Sequence, residues 1–102
     1  MMRIYISGPI TGRDIEVARR EFEWAADALR ASGHEPVDPM AEVPYNPGWT
    51  WRDYMRADIR LLVDCDAVAL LPKWEWSRGA ELERDIAERL GMKAEPVAWW
   101  LS

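Results

Sequence analysis

Two residue types that often define small proteins are scarce in this sequence, which has one cysteine and one histidine among 102 residues. A single cysteine, Cys65, excludes an internal disulfide and suits a reducing compartment, so we expect a cytoplasmic protein. One cysteine and one histidine do not supply a zinc site of the usual kind. The sequence therefore predicts a fold held by its hydrophobic core, without a bound metal.

Long hydrophobic runs and excess positive charge are also lacking. No apolar stretch approaches the roughly 20 residues of a membrane span, and the start, MMRIYISGPITG, has no signal-peptide apolar region. We therefore expect no membrane partner. The net charge of −5 argues against a nucleic acid polymer as partner, because such binding needs a basic face. A small anionic ligand stays possible, since a few local donors hold one phosphate.

Apolar periodicity alternates between strand and helix patterns along the chain. The predicted strands are residues 3–7, 34–39, 67–71 and 96–101. The predicted helices cover about residues 15–31, 51–63 and the segment that follows Ser77, and residues 41–49 are a Pro/Gly-rich loop. The order βαβαβαβ predicts a single doubly wound α/β domain, flavodoxin-like or Rossmann-like, with three layers and a roughly four-stranded parallel sheet.

Two loops lie at the carboxyl ends of the predicted strands, where such sheets bind ligands. They are SGPITGRD (residues 7–14) and PKWEWSRG (residues 72–79). Both combine glycines and hydroxyls with a following helix N-terminus, a composition that suits phosphate. Neither is a Walker loop or a GxGxxG fingerprint, so the sequence does not indicate a kinase-type or dinucleotide-binding protein.

Glu83 is a carboxylate on the wrong side of its helix. At about 100° per residue, Leu82, Ile86 and Leu90 form the apolar stripe, and Glu83 falls between Leu90 and Ala87. An ionised carboxylate is seldom fully buried without a partner. Either the helix is rotated from this projection, or Glu83 points into a cavity that requires a carboxylate. A first-turn glutamate reaching out to water is the third possibility.

Asp58 repeats this pattern in the preceding helix. It falls at the centre of the apolar arc, flanked by Trp51 and Tyr54. Two successive helices that each present one carboxylate to the core predict a shared site. Such a pair suits glycosidic bond cleavage, in which one carboxylate traps or stabilises the sugar cation and the other orients the sugar or handles protons.

Three segments carry a resemblance to a known family: IYISGPITG, RADIRLLVDCDAVALLP and SRGAELE. Over nearly the full chain the sequence resembles the nucleoside 2-deoxyribosyltransferase superfamily, and most of all its small phage and bacterial members. The resemblance implies the doubly wound α/β fold and no metal or organic cofactor. It also implies a small-molecule nucleotide or nucleoside as ligand.

The resemblance assigns roles to particular residues. The family's catalytic glutamate follows a glycine by four residues, as Glu83 follows Gly79. The family has an aspartate eight residues before the acidic residue that opens its third strand. Asp58 has this spacing from Asp66, so the resemblance gives Asp58 the sugar-hydroxyl or acid role. The first-loop residues that match the segment packed against base and sugar are Tyr5, Gly8, Pro9 and Ile10.

Ser77 is the informative departure from the transferases. They tend to have an aspartate six residues before the nucleophile, whereas the related nucleoside 5′-monophosphate N-glycosidases have a serine there that holds the 5′-phosphate. The amides of Arg78 and Gly79 would face that anion, with Arg13 or Arg78 as countercharge. Thr11 stands where those hydrolases often have arginine. The implied substrate is a (deoxy)nucleoside 5′-monophosphate, with water or a second base as acceptor.

Seven tryptophans are unusually many for this length. Trp74 and Trp76 lie near the candidate loops, where stacking on a base and a lid role are both open. Trp99 and Trp100 favour packing or a homo-oligomer interface. We expect a homodimer or higher homo-oligomer, since symmetric dimers are the commonest assembly. Two other functions stay open: a nucleotide-binding module without catalysis, and an oligomeric scaffold with a vestigial pocket.

Overall fold

A computed structural model describes all 102 residues. Four parallel strands form one sheet in the order β2-β1-β3-β4. Their bounds are Arg3–Ser7 for β1, Glu35–Val37 for β2, Ala67–Leu70 for β3 and Lys93–Pro96 for β4. The strand order reverses between β1 and β3, so a crevice for ligands is expected at their carboxyl ends. The predicted parallel, doubly wound α/β fold is confirmed.

Five helices connect or follow the strands. They are α1 (Ile15–Ala31), α2 (Pro39–Glu42), α3 (Trp51–Val63), α4 (Arg78–Arg89) and α5 (Val97–Leu101), with a 3-10 turn at Trp74–Trp76. The predicted bounds of α1 and α3 are confirmed. Thr50 and Asp53 form a capping box at the start of α3, in which each side chain bonds the other residue's backbone amide. No helix is long and apolar enough to cross a bilayer.

The alternation of side chains along β1 divides the core into two layers. Ile4 and Ile6 pack against α1 and α5, in a cluster that includes Phe22. Tyr5 lies on the opposite face with Leu62 of α3 and residues of β3 and α4. The central strand β1 thus presents an aliphatic side to α1 and a hydroxyl-bearing side to α3 and α4.

The prediction of a strand over residues 96–101 was wrong. The edge strand is the preceding segment, residues 93–96, and residues 97–101 are helical. The reason is that β4 is an edge strand, paired only with β3, and its sequence KAEP has two charged residues and no large apolar side chain to give a strand signal. In α5, Val97 and Trp100 are three residues apart and face the core together.

The second strand and the following loop are also shorter than predicted. Strand β2 ends at Val37, and Asp38 begins α2 by accepting a hydrogen bond from the amide of Met40. Residues 41–42 of the predicted loop therefore belong to a helical turn. Pro39 sits at its start, where a missing amide proton costs nothing.

Candidate functional site

Helices α3 and α4 each bury one carboxylate against the same face of the sheet. Glu83 is 4% exposed and Asp58 is 9% exposed. In α4 the buried residues are Ala80, Glu83 and Ala87, whereas Leu90 is 59% exposed and Leu82 is also exposed. The predicted leucine stripe was therefore wrong, because the helix is rotated so that small residues face the sheet. That rotation places Glu83 further inside, not at the surface.

Two hydroxyl groups of β1 hold the Glu83 carboxylate. The Tyr5 hydroxyl donates to Oε2 over 2.6 Å, and the Ser7 hydroxyl donates to Oε1 over 2.7 Å. Tyr5 and Ser7 lie two residues apart, so both side chains point to the α4 face of the sheet. Each carboxylate oxygen thus has one short, buried hydrogen bond, which is the satisfaction a buried charge requires.

Burial sets the proton affinity of both carboxylates. Desolvation raises the pKa of Glu83 to about 7, against the lowering by its hydrogen bonds from Tyr5 and Ser7, and the charge of Asp58 raises it further. Desolvation also raises the pKa of Asp58 to about 6. The pKa of Tyr5 lies well above its usual value, chiefly from burial and then from the Glu83 charge. Near neutral pH, Glu83 can therefore exist in both protonation states, as groups that attack or transfer protons do.

Ser77 begins α4 and lies one turn and a half before Glu83. Its hydroxyl oxygen accepts a hydrogen bond from the amide of Ala80 over 3.2 Å. The amides of Arg78 and Gly79 donate to no protein acceptor. The Arg78 guanidinium lies 3.8 Å from the ring centroid of Trp51, the first residue of α3. This helix start therefore has free donors and a cation, which suit an anion.

The first loop is held tightly at Gly8. A Cβ atom on Gly8 would lie 2.7 Å from Cβ of Leu71, so only glycine fits without a shift of the backbone. Further along, Arg13 donates to the carbonyl of Pro9 and forms a paired bond with both carboxylate oxygens of Glu21. Of the two predicted countercharges, Arg13 is thus already engaged, by the Pro9 carbonyl of its own loop and by Glu21 of α1.

A groove of about 570 Å³ lies between this loop, α1 and the loop after β3. All nine of its lining residues come from the two loops and α1, and they do not include Glu83 or Asp58. The lining residues are Pro9, Thr11, Arg13, Glu21, Trp24, Leu71, Pro72, Lys73 and Trp76. Residues singled out from the sequence thus lie in two places near the carboxyl end of β1. Some surround the buried carboxylates and others line the groove.

The first group surrounds the buried carboxylates and the second lines the groove. Glu83, Asp58 and Tyr5 belong to the first, with Tyr5 fully buried beneath Glu83. Pro9, Thr11 and Arg13 belong to the second. Ile10 lies in neither group, since it packs on the α1 side of the core.

Ser7 was missed by sequence reasoning. The signal was available in RIYIS, since alternation puts Ser7 on the face of Tyr5 and opposite Ile4 and Ile6. The sequence prediction placed Ser7 at the end of the first strand and at the start of the following loop, but it assigned no role to the hydroxyl group. No group of three or more His, Cys, Asp or Glu side chains is placed to hold a metal ion.

Comparison with known proteins places this architecture in context. The profile of the domain of unknown function DUF4406 matches residues 2–95. A search of curated proteins finds no match. A solved 2-deoxyribosyltransferase from Bacillus psychrosaccharolyticus has a similar fold, with a TM-score of 0.67 and 17% identity. The superposition covers 90% of this chain and 69% of that one. Since the profile spans most of the sequence, the chain belongs to the DUF4406 family.

Proposed function

We propose that this protein cleaves or transfers at the N-glycosidic bond of a (deoxy)nucleoside 5′-monophosphate, with Glu83 as the nucleophile. The observation that carries the proposal is the Glu83 carboxylate, buried beside Asp58 and held by two hydroxyls at the carboxyl end of β1. The fold similarity to a 2-deoxyribosyltransferase supports it. So do the sequence spacings that relate Glu83 to Gly79 and Asp58 to Asp66.

The chemistry follows from the protonation states. Ionised Glu83 attacks the anomeric carbon, forming a glycosyl ester, while the bond to the base breaks and its electron pair leaves with the base, which takes up a proton. Water or a second base then attacks the same carbon and releases the carboxylate. Asp58, with its pKa raised by burial to about 6, holds a sugar hydroxyl or transfers the proton.

In this proposal, the start of α4 binds the 5′-phosphate of the substrate. Ser77 uses its oxygen to accept from Ala80, so its hydroxyl proton is left to donate to a ligand. The free amides of Arg78 and Gly79 add two donors aligned with the helix dipole. Arg78 is the better countercharge, because Arg13 is already paired with Glu21.

The release of free base from a nucleotide tests the proposed function. The protein is incubated with each common nucleoside and its 5′-monophosphate, and free base is measured by liquid chromatography. We expect release from monophosphates, at least about 100-fold less with Glu83→Ala, and unchanged release with Glu81→Ala, an exposed glutamate of the same helix. Release that survives Glu83→Ala would refute the assigned nucleophile. A preference for nucleosides over monophosphates would refute the assigned phosphate subsite.

A nucleotide-binding module without turnover is the second candidate. The observation in its favour is the low exposure of Glu83, whose carboxylate already has a hydrogen bond on each oxygen. This candidate predicts that a nucleotide raises the melting temperature, since it binds only the folded state. It also predicts that the increase survives Glu83→Gln and that no base appears.

The assembly and location remain part of the proposal. We expect a homodimer or larger homo-oligomer, to which the exposed Trp76 and Trp99 would contribute apolar surface. Light scattering coupled to gel filtration measures the mass directly, and a monomer across the micromolar range would refute this expectation. The unpaired Cys65 supports the cytoplasm as the compartment. An oligomeric scaffold would oligomerise without binding nucleotides.

A further inference from the structure

Strand β1 ends in a hydroxyl group that is fixed from two sides. The Ser7 side chain is 1% exposed, and its backbone carbonyl accepts from the amide of Leu71 over 2.8 Å. Ser7 also pairs in register with Leu70 of β3. The direction of its Cα–Cβ bond is therefore set by the sheet, and the hydroxyl meets Oε1 of Glu83 at 2.7 Å.

The surroundings of Glu83 contain few groups that could favour its charge. Tyr5 of β1 and Asp58 of α3 are the titratable residues that face it, and Asp58 opposes its ionisation. Neither carboxylate forms an ion pair with an arginine or lysine. The hydroxyls of Ser7 and Tyr5 are consequently the two protein donors that stabilise the ionised form.

We propose that Ser7 is a positioning residue, whose hydroxyl fixes the plane of the Glu83 carboxylate and favours its ionised form. With Tyr5 alone, the carboxylate keeps one hydrogen bond and can rotate about it. With Ser7, each oxygen has its own donor, so the plane is defined by two points on one rigid strand. The effect on catalysis rests on the proposed function, whereas the effect on ionisation does not.

Titration of Glu83 tests Ser7 without any need for activity. The side-chain carboxyl carbon is followed by NMR in protein labelled with ¹³C-glutamate, and Glu83→Gln identifies its signal. In Ser7→Ala we expect the titration midpoint to rise by about one pH unit, since a hydrogen bond to a charged group is lost. In Ser7→Thr, which keeps a hydroxyl, the midpoint should return towards that of the wild type. Ser32→Ala, an exposed serine at the end of α1, should leave it unchanged.

A merely structural role would give a different result. In that case Ser7→Ala would lower the melting temperature while the midpoint of Glu83 stayed within about 0.2 units of the wild type, and the inference would be overturned. If Ser7→Ala does not fold, Ser7→Cys keeps the volume with a weaker donor and should raise the midpoint by a smaller amount. An unchanged midpoint in folded Ser7→Cys would then overturn it.

Kinetics separate this inference from the proposed function. If the wild type releases base, Ser7→Ala should move the acid limb of the kcat/KM profile to higher pH by the same amount as the titration, with the pH-independent KM unchanged. If the wild type releases no base, the proposed function fails while the titration still decides the role of Ser7. A shift in KM alone would contradict the positioning role.

Discussion

The hydroxyl of Tyr5 lies 2.6 Å from Oε2 of Glu83, although 78 residues separate the two in the sequence. This contact joins the central strand β1 to helix α4 inside the core layer that also contains Tyr5, Leu62, Val68 and Ala87. Burial raises the pKa of Glu83 from its ordinary value of 4.5 to about 7 in spite of this bond. The folded protein therefore binds a proton at Glu83 that the unfolded chain releases between these two pH values.

Replacing Glu83 by glutamine should stabilise the protein at alkaline pH. Since the folded-state pKa is raised, the free energy of unfolding of the wild type falls as pH rises from about 4.5 to 7, and the loss is complete above 7. Glutamine does not titrate, so Glu83→Gln should exceed the wild type by about 3 kcal/mol at pH 8. The two should agree within about 1 kcal/mol at pH 4.

Urea unfolding at both pH values measures this difference. Asp58 contributes a fall of the same sign at lower pH and is present in both proteins, so the difference between them reports Glu83 together with its interaction with Asp58. Glu81→Gln, an exposed change on the same helix, should follow the wild type at each pH. A Glu83→Gln variant that is less stable than the wild type at pH 8 would show that the carboxylate is held by more than these two hydroxyls.

The pair of Arg78 and Trp51 should couple the starts of α3 and α4. Their separation of 3.8 Å is well within the range of a cation–π contact, and Arg78 is exposed. A double-mutant cycle with Arg78→Met and Trp51→Leu should give a coupling of about 0.5–1 kcal/mol in unfolding free energy. Arg84 and Trp74, at 5.4 Å, should couple less. Equal couplings would contradict a dependence on distance.

Gly8→Ala should be strongly destabilising. The added Cβ would lie 2.7 Å from Cβ of Leu71, which cannot move without shifting β3. We expect a loss of about 1–3 kcal/mol in thermal or urea unfolding, as for other overpacked cores. Gly48→Ala is the matched control, because its nearest contact would be 3.4 Å and it lies in an exposed turn. Similar losses of stability for both variants would show that the change in backbone freedom, and not the contact with Leu71, causes the destabilisation.

The two adjacent tryptophans of α5 should differ in their effect on stability. Trp100 is buried and donates from Nε1 to the carbonyl of Val68 over 3.0 Å, whereas Trp99 is exposed. Trp100→Phe should cost about 1–3 kcal/mol, because it removes a buried hydrogen bond. Trp99→Phe should change stability by less than about 0.5 kcal/mol in the same thermal unfolding assay. A large cost for Trp99→Phe would instead indicate a contact between subunits.

Helical periodicity was enough to find the two buried carboxylates. Asp58 and Glu83 were singled out because each falls on the apolar side of its helix, and both are buried. A rotation of α4 was one of the alternatives that the sequence left open, but its extent was not predicted, since leucine outweighs alanine in any apolar projection. Ala80 and Ala87 face the sheet because their small side chains allow the helix to approach the strands closely.

The errors at the end of the chain have a similar cause. Strand β4 is an edge strand that has no large apolar side chain, and the apolar segment after it forms α5. Pairing with β3 determines the extended conformation of β4, and the amino-acid composition of β4 does not indicate that pairing. The bond from Ser7 to Glu83 joins residues 76 positions apart, so local patterns could indicate only the face on which Ser7 lies.

The position of β1 at the centre of the sheet has a consequence for the synthesis of the protein. Tyr5 and Ser7 leave the ribosome before their carboxylate partner, which is made more than seventy residues later. Until α4 emerges, a nascent β1 exposes two hydroxyls that lack their acceptor, on the face where the second core layer will form. The carboxylate centre is therefore completed only after α4 has emerged, and a chain that terminated before α4 would keep Asp58, Tyr5 and Ser7 but lack Glu83.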